Sequence, residues 1–294
     1  MVALPSRQRQ QRTLCRPVSL RGFGFWSSED IHVELRPALP GTGVTFFRRD
    51  LSPIRRIPVR VDNQVATPRK TTLASSGVKV EMVEHILAAL VGMQVDNCEI
   101  WVDSVEMPGC DGSSLEVVKV IREAGIAKQH AVQPRLVIHH PIRVGDDNCF
   151  IEATPSNQEG LWLEYDLDYP DSIVGQQRFE LHLDPDSFQR ELAGARTFVL
   201  QEEASALQAR GLAQRATAQD LLVFDEAGLV DNELRFADEC VRHKMLDVVG
   251  DLALAGCEVH GHIRAYRSGH KLNADLVKGL LRAHRVDDAL RFSA

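Results

Sequence analysis

Twice this chain carries the pattern Val-x-His-x6-Gly: Val83-Glu84-His85 closing on Gly92, and Val241-Arg242-His243 closing on Gly250. Each copy lies in a segment with helical apolar spacing, predicted over 81–91 and over 238–255. Each leads into an alternating segment of strand character, Cys98–Val102 and Glu258–Tyr266. Histidines duplicated on equivalent helices predict an α+β fold of two related domains, each a β-sheet packed with helices, with the two histidines meeting at a cleft between them. The boundary falls in the polar stretch 128–134, which ends in proline and reads as a linker, giving domains 1–130 and 131–294. Further strands are expected over 31–36, 44–47, 62–65, 71–73, 136–142, 149–155, 161–167 and 221–224. Further helices are expected over 115–124, 185–193, 199–210 (ended by Gly211) and 273–284.

At 294 residues, two domains of ordinary size are accommodated. Apolar residues at 44% and charged residues at 26% are those of a globular protein with a core. The net charge of −7 argues against a general nucleic-acid binder, so no nucleic-acid partner is expected. The basic, Gln-rich stretch 7–12 reads as a frayed tail. No apolar run approaches the roughly 18 residues that span a bilayer. Six dispersed cysteines without a Cys-x-x-Cys pair fit a reducing cytoplasm rather than a disulfide framework or a thiolate metal site.

The segment Arg242-His243-Lys244-Met245-Leu246-Asp247 places an imidazole and a carboxylate one helical turn apart on one face, where both can reach one small cation such as zinc. Such a pair taken at random is usually a surface contact. Here Val241, Met245, Leu246, Val248 and Val249 surround it, Lys244 adds a cation, and Asp251 extends the stripe by one more turn. A third ligand must come from elsewhere, and His85 is the best donor. Two histidines and one carboxylate leave a tetrahedral ion one open position, the arrangement of a hydrolytic site. Glu84 diverges from His85 by about 100° on the helix, so it cannot share the ion frontally but can reach the water beside it; an exposed glutamate next to a core histidine remains the other reading. His270 lies in a Ser-Gly-His turn after a strand, where a side chain can point into a cleft, although alone it would more often lie on the surface. His260 and His262 share one strand face without a further ligand nearby, and the adjacent His139 and His140 face opposite ways.

Val83-Glu84-His85, Pro108 with Asp111-Gly112-Ser113, Ala195-Arg196-Thr197-Phe198, Glu233-Leu234-Arg235-Phe236, Glu239 to Asp251, and Ser268-Gly269-His270-Lys271-Leu272-Asn273 resemble, in the same order, the signatures of the LpxC family. These are the UDP-3-O-acyl-N-acetylglucosamine deacetylases, zinc amidases of lipid A synthesis. The resemblance implies Zn2+ held by His85, His243 and Asp247, with Glu84 as general base and His270, oriented by Asp251, as general acid or electrostatic stabiliser. It implies Thr197 and Lys244 beside the oxyanion, Phe198 against the sugar and nucleotide, and an acyl-passage insert near 198–224. The implied substrate is UDP-3-O-(3-hydroxyacyl)-N-acetylglucosamine, the implied setting a cytoplasmic monomer whose products come near the membrane. Three segments depart from the family pattern: Gly24-Phe25-Trp26-Ser27-Ser28 in place of a Leu-His-Thr-Gly-like turn, Met82 in place of threonine, and 214–220 in place of a Gly-Gly-Ser segment. They leave open an amidase acting on another nucleotide sugar, or a non-catalytic ligand-binding paralogue.

Overall fold

A computed structural model describes residues 8–291, the side chains of 286–291 excepted, so position 7 of the expected tail and the outer ends of both expected domains lie outside it. The N-terminal half builds β1 (Gln10–Leu14), β2 (Val18–Phe23), β3 (Asp30–Pro37), β4 (Val44–Arg48), β5 (Arg55–Pro58), β6 (Gln64–Val65), β7 (Thr72–Ser75), β8 (Val78–Glu81), α1 (Glu84–Gly92), β9 (Cys98–Val102), α2 (Leu115–Ala124) and β10 (Ile126–Val132). The C-terminal half builds β11 (Arg135–Val137), β12 (Ile142–Gly145), β13 (Phe150–Thr154), β14 (Leu161–Tyr169), β15 (Gly175–Leu183), α3 (Pro185–Ser187), β16 (Phe198–Leu200), α4 (Gln201–Ala209), β17 (Leu222–Phe224), α5 (Glu239–Leu252), β18 (Glu258–Tyr266) and α6 (His270–Arg291). The fold is α+β.

Two sheets repeat one topology. The order β2-β3-β9-β4-β5 in the first half is matched by β12-β13-β18-β14-β15 in the second, with β11 added beside β18. In both, the third strand pairs antiparallel with the second and parallel with the fourth. That third strand, β9 or β18, follows the histidine-bearing helix, α1 or α5, so the duplicated sequence pattern has a topological basis. Strand alternation drives the layering: Ile31, Val33 and Leu35 of β3 and Val259, Ile263 and Ala265 of β18 face the core, which is one continuous apolar cluster spanning both halves.

Helices α1 and α5 pack against each other within that core, and almost every residue of both is buried. The two pattern glycines permit different contacts. A Cβ at Gly250 would lie 2.2 Å from the carbonyl oxygen of Glu84, and one at Gly92 would lie 2.2 Å from the Phe188 ring. Gly250 therefore sets how closely α5 approaches the first turn of α1. Gly250→Ala is expected to cost about 3 kcal/mol, since backbone cannot step aside as a side chain can. Chemical denaturation checks this, and a loss below about 0.5 kcal/mol would contradict the close crossing.

Several expectations are corrected. The stretch 128–134 is not a linker, because most of it is β10, which pairs antiparallel with β1. Residues 8–12 of the expected tail belong to the fold for the same reason, and Arg9 binds Asp96 at 2.7 Å and Glu258 at 3.2 Å, joining the two halves. The helix expected over 81–91 starts at Glu84, because 78–81 form β8 and Met82 turns the chain with φ +58°. The helix expected over 199–210 opens as strand β16, which pairs parallel with β17, and α4 begins only at Gln201. Strands β2, β5 and β15 were not anticipated. Among the described residues no helix is long and apolar enough to cross a membrane.

Candidate metal centre

The crossing of α1 and α5 brings His85, His243 and Asp247 together although the histidines are far apart in sequence. One ligand atom from each lies within 4.8 Å of the others, and all three residues are buried. Asp247 Oδ1 is 3.4 Å from His243 Nε2 and 3.9 Å from His85 Nε2. The two imidazole rings meet edge to face at 5.0 Å. A tetrahedral ion with bonds of about 2 Å separates its ligand atoms by about 3.3 Å, so the donor set is spaced for such an ion.

The protonation states fit the same purpose. Burial, and then the neighbouring His243, lower the His85 pKa to about 3. Burial also lowers that of His243. Both rings therefore present free lone pairs at neutral pH, as metal binding requires. His243 Nδ1 lies 3.1 Å from the carbonyl oxygen of Ala195, which directs Nε2 inward. Burial would push the Asp247 carboxyl up, but Lys244 and the surrounding histidines outweigh it and keep Asp247 ionised. Lys244 Nζ donates to Asp247 Oδ2 at 2.7 Å, which leaves Oδ1 for the ion.

Beside the donors stands a second group of polar side chains. Glu84, the first residue of α1, is held by a hydrogen bond from the backbone N–H of Thr71 to Oε2 at 2.9 Å. Its Oε1 faces His270 Nε2 at 3.9 Å. Desolvation raises the Glu84 pKa to about 7, against the pull of His270. His270, expected in a turn, is the first residue of α6. Its Nδ1 meets Asp251 Oδ2 at 2.9 Å, and although burial alone would lower its pKa, Asp251 raises it to about 9. Asn273 donates to the same Asp251 oxygen at 2.8 Å, and Ser268 Oγ anchors Asn273 at 2.7 Å.

These groups open onto a cavity of about 940 Å³. Thr197, Phe198 and Lys244 line it together with Glu84, His85, His243, Asp247 and His270. The segment 198–224 contributes a largely apolar part of its lining, with Val199, Leu200, Leu207, Leu221 and Val223. Phe198 packs edge-on against Tyr169 at 5.6 Å and Phe224 at 6.4 Å. Thr197 is fixed by its backbone: its N–H donates to the carbonyl of Gly112 at 2.8 Å, within the turn that follows Asp111. The neighbouring Arg196 binds the fully buried Glu239 at 2.8 Å, and Arg235 pairs with Asp111 at 2.7 Å. The motifs around Asp111, Arg196, Arg235 and Glu239 thus form one clamp that holds Thr197 at the cavity.

The remaining histidines lie elsewhere. His260 Nε2 is 3.5 Å from Glu258 and His262 Nε2 is 3.8 Å from Glu164, and neither joins a metal-binding group among the described residues, nor do His139 and His140. Two of the departing segments meet at the cavity wall, where the Trp26 indole N–H donates to the Met82 sulfur at 3.3 Å. Thr71 and the Ala195 carbonyl were not legible as site groups: a lone threonine and a main-chain oxygen carry no spacing signal.

The model of the LpxC family, UDP-3-O-acyl N-acetylglycosamine deacetylase, matches residues 11–282. The chain belongs to this family. Among its relatives, the UDP-3-O-acyl-N-acetylglucosamine deacetylase of Anaeromyxobacter sp. (strain Fw109-5) is 39% identical over 94% of this chain and 91% of its own length. That of Myxococcus xanthus (strain DK1622) is 38% identical over 92% of this chain and 86% of its own length. That of Haemophilus influenzae (strain PittEE) is 36% identical over 92% and 90%. The LpxC-family match spans both sheets, both histidine-bearing helices and His270, so the shared region contains the entire cluster.

Proposed function

We propose that this chain is a zinc-dependent deacetylase that hydrolyses the N-acetyl group of UDP-3-O-(3-hydroxyacyl)-N-acetylglucosamine, releasing acetate and a free amine, in lipid A biosynthesis. The observation that carries the reading is the placement of a Glu84–His270 pair directly beside a buried His–His–Asp donor set, all lining a cavity to which the segment 198–224 adds largely apolar residues. When bound, zinc polarises the amide carbonyl and makes water a nucleophile at neutral pH.

The chain's own residues supply the rest. Glu84, desolvated and held through one oxygen by Thr71, takes a proton from the attacking water with the other. His270, protonated at neutral pH through Asp251, stabilises the developing oxyanion and passes its Nε2 proton to the departing amine. Thr197 and Lys244 flank the oxyanion, and Phe198 packs against the sugar and nucleotide. The wall formed by 198–224 shelters the acyl chain, each buried methylene contributing about 0.8 kcal/mol. The reading places the protein in the cytoplasm, as a monomer whose lipid-like product is handed to the membrane surface.

A second reading, an amidase acting on a different nucleotide sugar, is favoured by the Trp26–Met82 contact, which gives the cavity wall a bulk and chemistry the family pattern lacks there. The two are separated by acetate release from the acylated UDP-sugar, compared with the same sugar nucleotide without its acyl chain. The proposal expects turnover of the acylated substrate to exceed that of the other by 100-fold or more, about 3 kcal/mol from four or more buried methylenes. Equal turnover of the two would favour the second reading.

A further inference from the structure

We infer that Thr71 is a positioning residue that joins the Glu84 and Asp251 carboxylates and sets the alignment of His270. It is buried to 1% exposure, just before β7, and makes two hydrogen bonds that serve different catalytic groups. Its backbone N–H holds Glu84 Oε2 at 2.9 Å, leaving Oε1 as the oxygen that faces His270. Its hydroxyl donates to Asp251 Oδ1 at 2.5 Å. Asp251 Oδ2 is occupied by His270 Nδ1 and Asn273 Nδ2, so the Thr71 hydroxyl is the donor that satisfies the other oxygen.

A fully donated carboxylate in a dry site has one stable orientation. Without the hydroxyl, Oδ1 is a buried acceptor with no partner, and the carboxylate gains by turning toward another donor or water. That turn weakens its bond to His270 Nδ1. His270 then loses both its orientation toward Glu84 and the contact that favours its protonated form. The inference rests on the deacetylase reading for its kinetic consequence, but the geometry concerns only residues of the chain.

Thr71→Val keeps the shape and the backbone bond to Glu84 and removes only the hydroxyl; Thr71→Ser restores it. In the zinc-loaded protein, Thr71→Val is expected to lower kcat about 10- to 100-fold with unchanged metal content and little change in KM. The alkaline limb of kcat/KM should move down by about one pH unit, and Thr71→Ser should recover most of the rate. In the metal-free protein, nuclear magnetic resonance of ring-labelled histidine should show the His270 titration shifted the same way. Wild-type kcat in Thr71→Val, a limb that stays or moves up, or equal impairment of the Val and Ser variants would overturn the inference. Should Thr71→Val not fold, Thr71→Ala against Thr71→Ser decides the same point. A wild type that releases no acetate sinks the functional reading alone, because the histidine titration still tests Thr71.

Discussion

Glu84→Gln should fold, bind its full complement of metal and lose about 100-fold or more in kcat. Glutamine has the same shape and can still accept from the Thr71 N–H, so the first turn of α1 and its crossing with α5 are preserved. What it lacks is a site for a proton. The pKa of Glu84, pushed up to about 7 by desolvation, makes its carboxylate a stronger base than an exposed glutamate. General-base contributions are typically 10²- to 10⁴-fold, and nearby carboxylates cannot substitute: Asp247 is held ionised by Lys244 with one oxygen among the metal donors, and Asp251 is occupied by donors. Parallel measurement of kcat, KM and bound zinc decides the matter. A Gln variant turning over within about threefold of wild type would remove Glu84 from the reaction.

His85→Ala, His243→Ala and Asp247→Ala should each bring bound zinc well below one per chain and deacetylation to background. Each removes one of the three donors the proposed centre assigns to the protein, and two donors bind zinc far more weakly than three. The three variants should differ in stability. His85→Ala and His243→Ala remove neutral rings, whereas Asp247→Ala also strips Lys244 of the carboxylate 2.7 Å away, leaving a cation at a mostly buried site. Asp247→Ala is therefore expected to have the lowest Tm. His260→Ala and His262→Ala, whose rings pair with Glu258 and Glu164, serve as controls that keep both metal and activity. Full zinc occupancy in all three donor variants would refute the centre.

Local periodicity made much of this legible before any tertiary information. His243 and Asp247 are four apart, and a helix places such residues on one face whatever surrounds it. The repeated Val-x-His-x6-Gly pattern is of the same kind, since helix α1 leading to β9 and α5 leading to β18 repeat within matching sheet orders. The repetition fits the α+β class, and His85, with Glu84 beside it, stood out as the candidate third donor. The family signatures around Arg196, Arg235 and Glu239 were equally visible, though as motifs without a mechanical meaning.

Other features had no local signature and were decided by packing alone. The stretch 128–134 is polar and ends in proline, as a linker would, yet β10 forms because β1, over a hundred residues earlier, offers it an edge to pair with. Thr71 bonds to Asp251 across 180 residues, and the Ala195 carbonyl meets His243 across 48. No spacing rule connects such partners. The helix start at Glu84 belongs with these, since the positive φ at Met82 lets β8 pair with β7 up to Glu81 before the chain turns. Sequence alone determined which residues could bind a metal and on which element faces they lie, because helix and strand periods depend only on neighbours along the chain. The tertiary structure decided which polar groups orient them, because a buried donor must find its acceptor wherever the folded chain brings one within about 3 Å.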